Sequence, residues 1–429
     1  MRLMSYGSAE WKRYRAALTR GAAPRVGVRE AVARILSDVR RGGDAALVRL
    51  TARFDRVRLT ARALRVPAAE ISATARRADA RLVAALRAMA RRIESYHRRQ
   101  LERGFKIELG FGSWMAEVVR PIDSVGLYVP GGAGAYPSSV LMNAVPARVA
   151  GVPRIAVVTP PRALEQNPAL AAALTIVGLQ DCVYRVGGAQ AVAALAYGTG
   201  TVEPVAKIVG PGNAYVAEAK RQVRGIVEID QDAGPSEVVI LADETADAGW
   251  VAVDLLAQAE HGTGDETVVL VTPSRALASE VARLVESGVA AAANPGTTRR
   301  ALARNGAIVL VKSREQGVEV VNDLAPEHVE VQTRGAAALA RRIVAGAVFV
   351  GAHTPVAVGD YGVGPNHVLP TGGAARVSSP LSVRDFLRRQ SVVCLSEKGL
   401  GRIAQDVVTV ARAEGFRAHA ESVLTRFAG

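Results

Sequence analysis

Two histidines of this chain directly follow a glutamate, once in QAEH (258–261) and once in APEH (325–328). The chain has only six histidines, so both pairs are candidates for chemistry. Gln258 and His261 stand three positions apart at the end of a predicted helix (250–262), so their side chains project from one face. An amide oxygen and an imidazole suit zinc when Asp and His complete the ligand set. Taken alone, the pair is more typical of a hydrogen-bonding surface.

The second pair is predicted to lie in a loop, because Pro326 disfavours helix in the residue before it. Neighbouring side chains cannot share one helical face, but in a loop Glu327 and His328 can both point into a cleft. A carboxylate in such a cleft can activate water, and an imidazole can shuttle a proton. This pair therefore predicts acid–base chemistry.

Further polar residues could complete a metal or substrate site. Asp360 lies in a Gly-Asp-Tyr-Gly loop, His367 follows Gly-Pro-Asn, and His419 stands close to the C-terminus. Carboxylates in glycine loops are often turn formers, which is the alternative interpretation of Asp360. Ser236, in AGPSE, lacks the G-x-S-x-G frame, so a turn is predicted there and not a serine nucleophile.

Three glycine-rich corners follow predicted strands and favour a cofactor site. They are GLYVPGGAGAYPSS (126–139), GGAQ (187–190) and GPGN (210–213). Clustered glycines let backbone N–H groups approach an anion, and open α/β sheets bind ligands at strand carboxyl ends. The G-x-G-x-x-G fingerprint and a P-loop lysine are absent from the first corner, so each corner by itself could be a tight structural turn.

The elements that must position these residues alternate between strand and helix after residue 125. At 429 residues the chain predicts about two to four domains. Residues 29–100 have helical periodicity broken at RGGD (41–44), and residues 383–390 and 398–414 are also predicted helices. Alternating strands and helices favour parallel sheets covered by helices on both faces. The predicted strands are 154–160, 181–188, 206–212, 225–230, 238–243, 267–273, 307–313 and 347–352.

The net charge, the length of the apolar segments and the cysteine content limit the classes of protein to which this chain could belong. The charge is +14, from 54 basic and 40 acidic residues, but only six of the bases are lysines. Scattered arginines favour a coding bias over a nucleic-acid surface, which usually interleaves aromatics. No segment reaches the apolar length of a membrane span or a signal peptide, so we expect a cytoplasmic protein. Cys182 and Cys394 form no CxxC, and two buried reduced thiols are expected.

The accumulated motifs resemble those of the histidinol dehydrogenase family. The resemblance runs from RGGDAALVRLTARFD (41–55) to EGFRAHAESV (414–423), nearly the whole chain. The matching strings in between are GLYVPGG, AYPSSVLMNAVPA, GGAQAVAALAYGT, KIVGPGN, AGPSE, LLAQAEHG, NDLAPEHVE and VGDYGVGPNHVLPT. So many strings in one order make chance similarity implausible.

This resemblance implies a reaction and its cofactors. L-Histidinol would be oxidised to L-histidine through an enzyme-held histidinal, with two NAD+ and one zinc per subunit. His328 would take the alcohol proton in the first oxidation, and Glu327 would activate water in the second. The zinc ligands implied by the match are Gln258, His261, Asp360 and His419.

The resemblance also assigns binding residues and an assembly. Zinc is expected to anchor the substrate through its imidazole and amino groups. A homodimer is implied, in which the partner subunit supplies Glu414 and His419 to each site. The implied NAD contacts are Tyr128, Gln190 and Asn213. The implied substrate contacts are Ser236, Gln258, His261, His328, Asp360, His367, Glu414 and His419.

The fold implied is α/β, with two Rossmann-like parallel-sheet domains and short helical terminal segments. Residues 1–23 would form a helical arm, and residues 24–127 with 237–380 a discontinuous main domain carrying the zinc and acid–base residues. Residues 128–236 would form an inserted NAD-binding domain. Residues 381–429 would form a helical segment that reaches the partner subunit.

A few positions depart from the family pattern. Gln231 and Asp232 stand where apolar residues are expected, and the loop after His261 is unusually rich in glycine. Asp232 lies close enough to Ser236 in sequence to affect substrate preference. Members of the family also oxidise other small polar alcohols, such as a sulfonated propanediol, which is the alternative substrate. Glu414 and His419 favour histidinol.

Overall fold

The computed structural model describes residues 1–20, 26–131, 136–231 and 234–427. The strands are β1 (Arg2–Ser5), β2 (Phe105–Gly110), β3 (Ser113–Pro121), β4 (Ser124–Tyr128), β5 (Arg154–Thr159), β6 (Val183–Arg185), β7 (Lys207–Val209), β8 (Glu228–Ile229), β9 (Glu237–Ala242), β10 (Thr267–Thr272), β11 (Gly306–Leu310), β12 (His328–Gln332), β13 (Ala347–Val350) and β14 (Leu387–Cys394).

Helices connect most of these strands. They are α1 (Ala9–Arg20), α2 (Val26–Phe54), α3 (Ala68–Ala75), α4 (Ala80–Arg98), α5 (Pro137–Ala150), α6 (Pro161–Gln166), α7 (Pro168–Ile176), α8 (Gly188–Tyr197), α9 (Ala214–Val223), α10 (Ala248–Ala259), α11 (Arg275–Gly288), α12 (Pro295–Asn305), α13 (Arg314–Leu324), α14 (Ala336–Ala340), α15 (Val356–Tyr361), α16 (Glu397–Ala413) and α17 (Arg417–Leu424). Among the helices of the described residues, none combines the length and the apolar character needed to cross a membrane.

A parallel sheet of six strands within the described residues carries the acid–base residues. Its order is β1-β11-β10-β9-β12-β13. The central strands are runs of β-branched and aliphatic residues, and β10 is buried along its whole length. Apolar helices cover both faces, which produces one hydrophobic cluster on each side. The N-terminal arm, predicted to be helical, begins instead with β1, because its residues pair in parallel with β11.

A second parallel sheet has the order β6-β5-β4-β7-β8 in the described residues. Helices α8 and α9 cover one face together with α2, and α4, α5 and α7 cover the other. The early helices thus pack on this sheet and not, as the predicted division of the chain implies, with the strands after residue 237. The predicted break in residues 41–44 is a kink inside α2, where Gly43 adopts a positive φ of 49°.

A small antiparallel sheet, β14-β3-β2, corrects the prediction for residues 383–390. They begin with a 3₁₀ turn at Val383–Phe386 and continue as β14, which pairs with β3 over its whole length. Non-local pairing therefore overrides the local helical pattern, so the segment 381–429 is not wholly helical. Both cysteines are free, but Cys182 is only partly buried and Cys394 is exposed on this edge strand, so the expectation of two buried thiols is wrong.

Candidate active site

The acid–base pair lies where β9 and β12 begin side by side. These strands are parallel neighbours, with His328 opposite Val238. The prediction of a loop at this pair is wrong for His328, which is the first residue of β12. Both side chains are buried, Glu327 at 7% exposure and His328 at 4%. The sheet therefore fixes two polar groups that a loop would leave mobile.

The position of His328 decides which of its ring nitrogens is free. Its Nδ1 lies 2.9 Å from the backbone carbonyl oxygen of Glu237, which can only accept a hydrogen bond. Nδ1 must therefore carry the hydrogen, and Nε2 keeps its lone pair. The pKa of His328 is lowered to about 4, chiefly by burial and in addition by the nearby His261 and His367, while the hydrogen bond with the Glu237 carbonyl acts in the opposite direction. The ring is consequently neutral near pH 7 and ready to accept a proton.

Glu327 is held by a reciprocal pair of hydrogen bonds. Its Oε2 accepts from the backbone N–H of Glu237 at 2.9 Å, and its own backbone N–H donates to Glu237 Oε2 at 3.1 Å. Burial raises the pKa of Glu327 well above its usual value, and repulsion from Glu237 and Asp360 adds to this. A hydrogen bond with the Ser236 side chain acts in the opposite direction. The carboxylate is therefore a stronger base than an exposed glutamate.

Gln258 and His261 mark the end of α10. Gln258 is buried in the last turn at 3% exposure, whereas His261 stands exposed beyond the last helical residue, Ala259. Among the described residues nothing accepts from the buried Nε2 of Gln258. Nitrogen and oxygen of an amide are interchanged by a half-turn, so this position can equally present a buried acceptor oxygen. An unpartnered buried amide is costly, which indicates that this side chain serves a ligand.

Asp360 and His367 face the same space. Asp360 Oδ1 lies 3.8 Å from His367 Nδ1. Burial is the main cause that raises the pKa of Asp360 to about 6 and lowers the pKa of His367 to about 4. The nearby His261 acts to lower both pKa values. Together with His328 these two side chains line a cavity of about 880 Å³. The structure thus places His328, Asp360 and His367 around one cavity, with Glu327 beside His328 and with His261 close enough to influence their pKa values.

Two predicted residues lie away from this cavity. Glu414 is the C-cap residue that follows α16, and His419 lies on α17 with its ring 5.1 Å from that of Phe416. Both side chains are exposed, and neither lines the cavity. Within the part of the chain that the structure describes, no group of three or more His, Cys, Asp or Glu residues could hold a metal ion. One chain does not assemble the predicted ligand set by itself.

The predicted cofactor residues follow the strands of the five-stranded sheet. Tyr128 ends β4, and its hydroxyl accepts a hydrogen bond from Gly188 N–H at 3.0 Å, which joins two of the glycine corners. Burial raises the pKa of this hydroxyl to about 12. Gln190 is buried in the first turn of α8, and Asn213 caps α9 by accepting from Tyr215 N–H at 3.0 Å. Two helix N-termini and three strand ends therefore share one edge, although residues 132–135 of the first corner lie outside the described residues.

Some of the positions that depart from the family pattern lie in described parts of the structure, and their hydrogen bonds can be stated. Gln231 Nε2 donates to the backbone oxygen of Leu369. The glycine-rich loop after His261 is closed by the buried Glu266, which accepts from Thr263 N–H and Gly264 N–H at 2.8 Å each. Asp232 lies outside the described residues, so its expected influence near Ser236 remains a prediction.

Sequence reasoning missed one residue beside the acid–base pair. The backbone of Glu237 contacts both Glu327 and His328, and its side chain accepts from the backbone N–H of Glu327, yet the sequence drew attention only to its neighbour Ser236. The available signal was a carboxylate at the first position of the otherwise apolar EVVILA strand, where burial makes a charge expensive.

The fold and the site together define an α/β enzyme with a buried proton-transfer pair beside a large cavity. A sequence model of the histidinol dehydrogenase family matches residues 18–427. A histidinol dehydrogenase of Bradyrhizobium diazoefficiens is 50% identical over 396 residues, which cover 92% of this chain and 91% of that protein. One from Geobacillus kaustophilus is 48% identical over 401 residues, covering 93% of each.

A solved structure agrees with these relatives. The crystal structure of histidinol dehydrogenase from Elizabethkingia anophelis matches with a TM-score of 0.91 at 33% identity, covering 100% of this chain and 98% of that one. The chain belongs to the histidinol dehydrogenase family, a family of oxidoreductases. The resemblance found in the motifs is thereby confirmed, as is the α/β fold class.

Proposed function

We propose that this enzyme oxidises L-histidinol to L-histidine through histidinal, with two NAD+ and one zinc per subunit, as the last steps of histidine biosynthesis. The observation that carries the proposal is the buried pair Glu327 and His328, of which His328 lines the same cavity as Asp360 and His367. A neutral imidazole beside a carboxylate of raised pKa provides one base for each oxidation.

His328 is the base of the first oxidation. Its Nε2 takes the hydroxyl proton of the alcohol while a hydride leaves the carbon for NAD+, which leaves an aldehyde. Because the Nδ1–H is held by the Glu237 carbonyl, the ring cannot rotate or change tautomer during the transfer. His328 Nδ1 lies 3.5 Å from Glu327 Oε2, so the Glu327 carboxylate stabilises the positive charge that develops on the ring.

Glu327 is the base of the second oxidation. Its carboxylate takes a proton from water as the water oxygen bonds to the aldehyde carbon, which yields the anion of the hydrated aldehyde. That carbon then loses a hydride to the second NAD+, and the carboxylic acid results. The carboxylate is pre-oriented for this step by the Glu237 N–H and by Ser236.

The three zinc ligands that this chain itself would supply have suitable chemistry. Gln258 presents a buried amide without a partner, Asp360 a buried carboxylate, and His261 an imidazole near both His367 and Asp360. His419 of the partner subunit would be the fourth ligand, which agrees with the exposed position of this chain's own His419. Bound there, zinc supplies a template and a Lewis acid that anchor the imidazole and amino groups of the substrate.

The assembly and the cofactor site belong to the same proposal. Tyr128, Gln190 and Asn213 would contact NAD at the edge where α8 and α9 begin. A homodimer would bring Glu414 and His419 of each subunit to the site of its partner, and the enzyme would work in the cytoplasm. The inserted domain would comprise residues 128–236, and the packing of α2 and α4 on its sheet favours including the early helices with it.

A substrate comparison tests the proposal. NADH formation is measured with L-histidinol and, separately, with a sulfonated propanediol, at equal concentrations. The proposal predicts efficient turnover of L-histidinol, because Glu414 and His419 suit a cationic amino group beside the metal. Turnover of the sulfonate without turnover of L-histidinol would show that the same site serves the alternative alcohol.

A further inference from the structure

Glu237 touches both members of the acid–base pair, and it does so with three different groups. Its backbone N–H donates to Glu327 Oε2 at 2.9 Å, and its backbone carbonyl holds His328 Nδ1 at 2.9 Å. Its side-chain Oε2 accepts from the backbone N–H of Glu327 at 3.1 Å. The two backbone contacts would exist for any residue at this position, but the third depends on the side chain.

A carboxyl group is an expensive choice at this place. The rest of β9 is valine, isoleucine, leucine and alanine, and it is fully buried. Within the described residues no arginine or lysine pairs with Glu237, and the side chain is held only by the N–H groups of Glu327 and Gly372. Burial raises its pKa to about 7 as a consequence. A buried carboxyl without a cation destabilises a fold, so a role in the site is indicated.

Glu237 lies behind the acid–base pair, and it is absent from the described lining of the catalytic cavity. Its side chain lines a second cavity of about 750 Å³ between the N-terminal arm and β9. The contact of this side chain with the acid–base pair is its hydrogen bond with the backbone N–H of Glu327, so we expect its effect on the reaction to pass through Glu327.

We propose that Glu237 is a positioning residue, whose carboxyl group fixes the backbone of Glu327 and thereby aims the Glu327 carboxylate at the second oxidation. The inference rests on the proposed function, since it assumes that Glu327 activates water. Loss of the carboxyl leaves the Glu327 N–H unpaired in the interior and frees the start of β12 to shift. A displacement of about 1 Å at a catalytic group costs on the order of a hundredfold in rate.

Three variants test the inference in separate half-reactions, histidinal to histidine and histidinol to histidinal. Glu237→Ala should lower kcat for histidinal oxidation about ten- to a hundredfold, with a smaller effect on KM and on the first oxidation. Glu237→Gln keeps an acceptor oxygen and should recover most of the rate. Asp323→Asn, in the same cavity but bonded to Tyr6 and Arg15, is the matched control and should leave both half-reactions unchanged.

A pH profile provides a readout that a merely structural role would not change. Repulsion from Glu237 raises the pKa of Glu327, so Glu237→Gln should move the acid limb of histidinal oxidation to lower pH. The variants leave the other ionisable groups around both carboxyls unaltered, namely His328 and Asp360 on the catalytic side and Lys12, Arg15, Asp323 and Arg376 in the second cavity.

The outcomes separate this inference from the proposed function. Wild-type rates for folded Glu237→Ala, or equal losses in both half-reactions for Glu237→Ala and Glu237→Gln, would overturn the inference. If Glu237→Ala does not fold, an unshifted profile for Glu237→Gln overturns it as well. The proposed function fails instead if the wild-type enzyme does not oxidise histidinal, or if Glu327→Gln oxidises it normally.

Discussion

At the residue scale, hydrogen bonding and burial give the neighbouring side chains of Glu327 and His328 different acid–base properties. The Glu237 carbonyl fixes the tautomer of His328, and burial keeps its ring neutral. The same burial makes Glu327 a stronger base than an exposed carboxylate. Neighbouring groups whose pKa values are pushed in opposite directions are a recurrent sign of acid–base assignments.

Replacing Glu327 should separate the two oxidations. Glu327→Gln cannot deprotonate water, so histidinal oxidation should fall about 10²- to 10⁴-fold while the first oxidation stays largely intact. Stopped-flow measurement of NADH from each substrate checks this. Glu260→Gln is a suitable control, because Glu260 also precedes a histidine but holds Ala293 N–H outside the catalytic cavity. Equal losses in both oxidations would remove Glu327 from its assigned role.

The two half-reactions should also differ in pH dependence. A raised pKa means that Glu327 gains its proton early as the pH falls, so histidinal oxidation should decline well above the ordinary titration range of a glutamate. The lowered pKa of His328, about 4, means that its base form persists to much lower pH. Rate profiles of the isolated half-reactions should therefore show the acid limb of the second oxidation at the higher pH. The reverse order would contradict the assignment of the two bases.

At the element scale, a buried polar network joins the three elements that carry the site. Glu330 on β12 accepts from Val356 N–H, the first residue of α15, at 2.8 Å and from Gln332 Nε2 at 2.8 Å. Gln332 Nε2 also contacts Asp254 Oδ2 on α10 at 3.2 Å. Because α10 carries Gln258 and α15 carries Asp360, this network sets the spacing between two predicted ligands.

Because Glu330 is buried in this network, we expect the free energy of unfolding to fall as the pH rises. Burial, and then the Asp254 charge, raise the pKa of Glu330 to about 8. A carboxyl with a raised folded-state pKa stabilises at low pH, and this stability is lost as the pH rises through about 8. Glu330→Gln cannot ionise, so its Tm should fall less than the wild-type Tm between about pH 6 and about pH 9. Thermal unfolding measures this, with the exposed Glu286→Gln of α11 as a control that keeps wild-type behaviour; equal slopes for all three proteins would refute it.

The sequence predicted elements well where the signal is local. Each of the predicted strands from 154–160 to 347–352 overlaps one of β5 to β11 or β13, because buried parallel strands are runs of β-branched residues. Residues 383–390 were predicted as helix, but residues 387–390 begin β14, because their pairing partner β3 lies more than two hundred positions earlier. Glu237 was not identified from the sequence for a similar reason. Its partner Glu327 lies ninety positions later in the chain, and only the folded register of β9 and β12 places the two residues side by side.

At the scale of the whole molecule, the C-terminal hairpin of α16 and α17 holds Glu414 and His419 away from the catalytic cavity of the same chain. Its two helices pack on each other through Val408, Ala411 and Ala420. Apolar residues nevertheless remain exposed on it, among them Val410 at 57% and Phe416 at 54%. Exposed apolar side chains beside two predicted site residues agree with a hairpin that docks on a partner subunit.

The proposed sharing of active sites predicts complementation between two inactive variants. His419→Asn would remove the ligand proposed for the partner's site, and Glu327→Gln would remove the base proposed for the chain's own site. A mixed dimer would hold one site with both residues intact, so co-expressed variants should recover about a quarter of wild-type histidinal oxidation by random pairing. Activity of the mixture no higher than that of either variant would contradict the shared site.

NADH stoichiometry distinguishes the proposed four-electron, metal-anchored oxidation of L-histidinol from a single alcohol oxidation. NADH formed per mole of L-histidinol is measured at completion with the native enzyme, after a chelator, and after zinc is returned. We expect two NADH per L-histidinol, lost on chelation and restored by zinc. One NADH per L-histidinol, or a yield indifferent to the chelator, would contradict it.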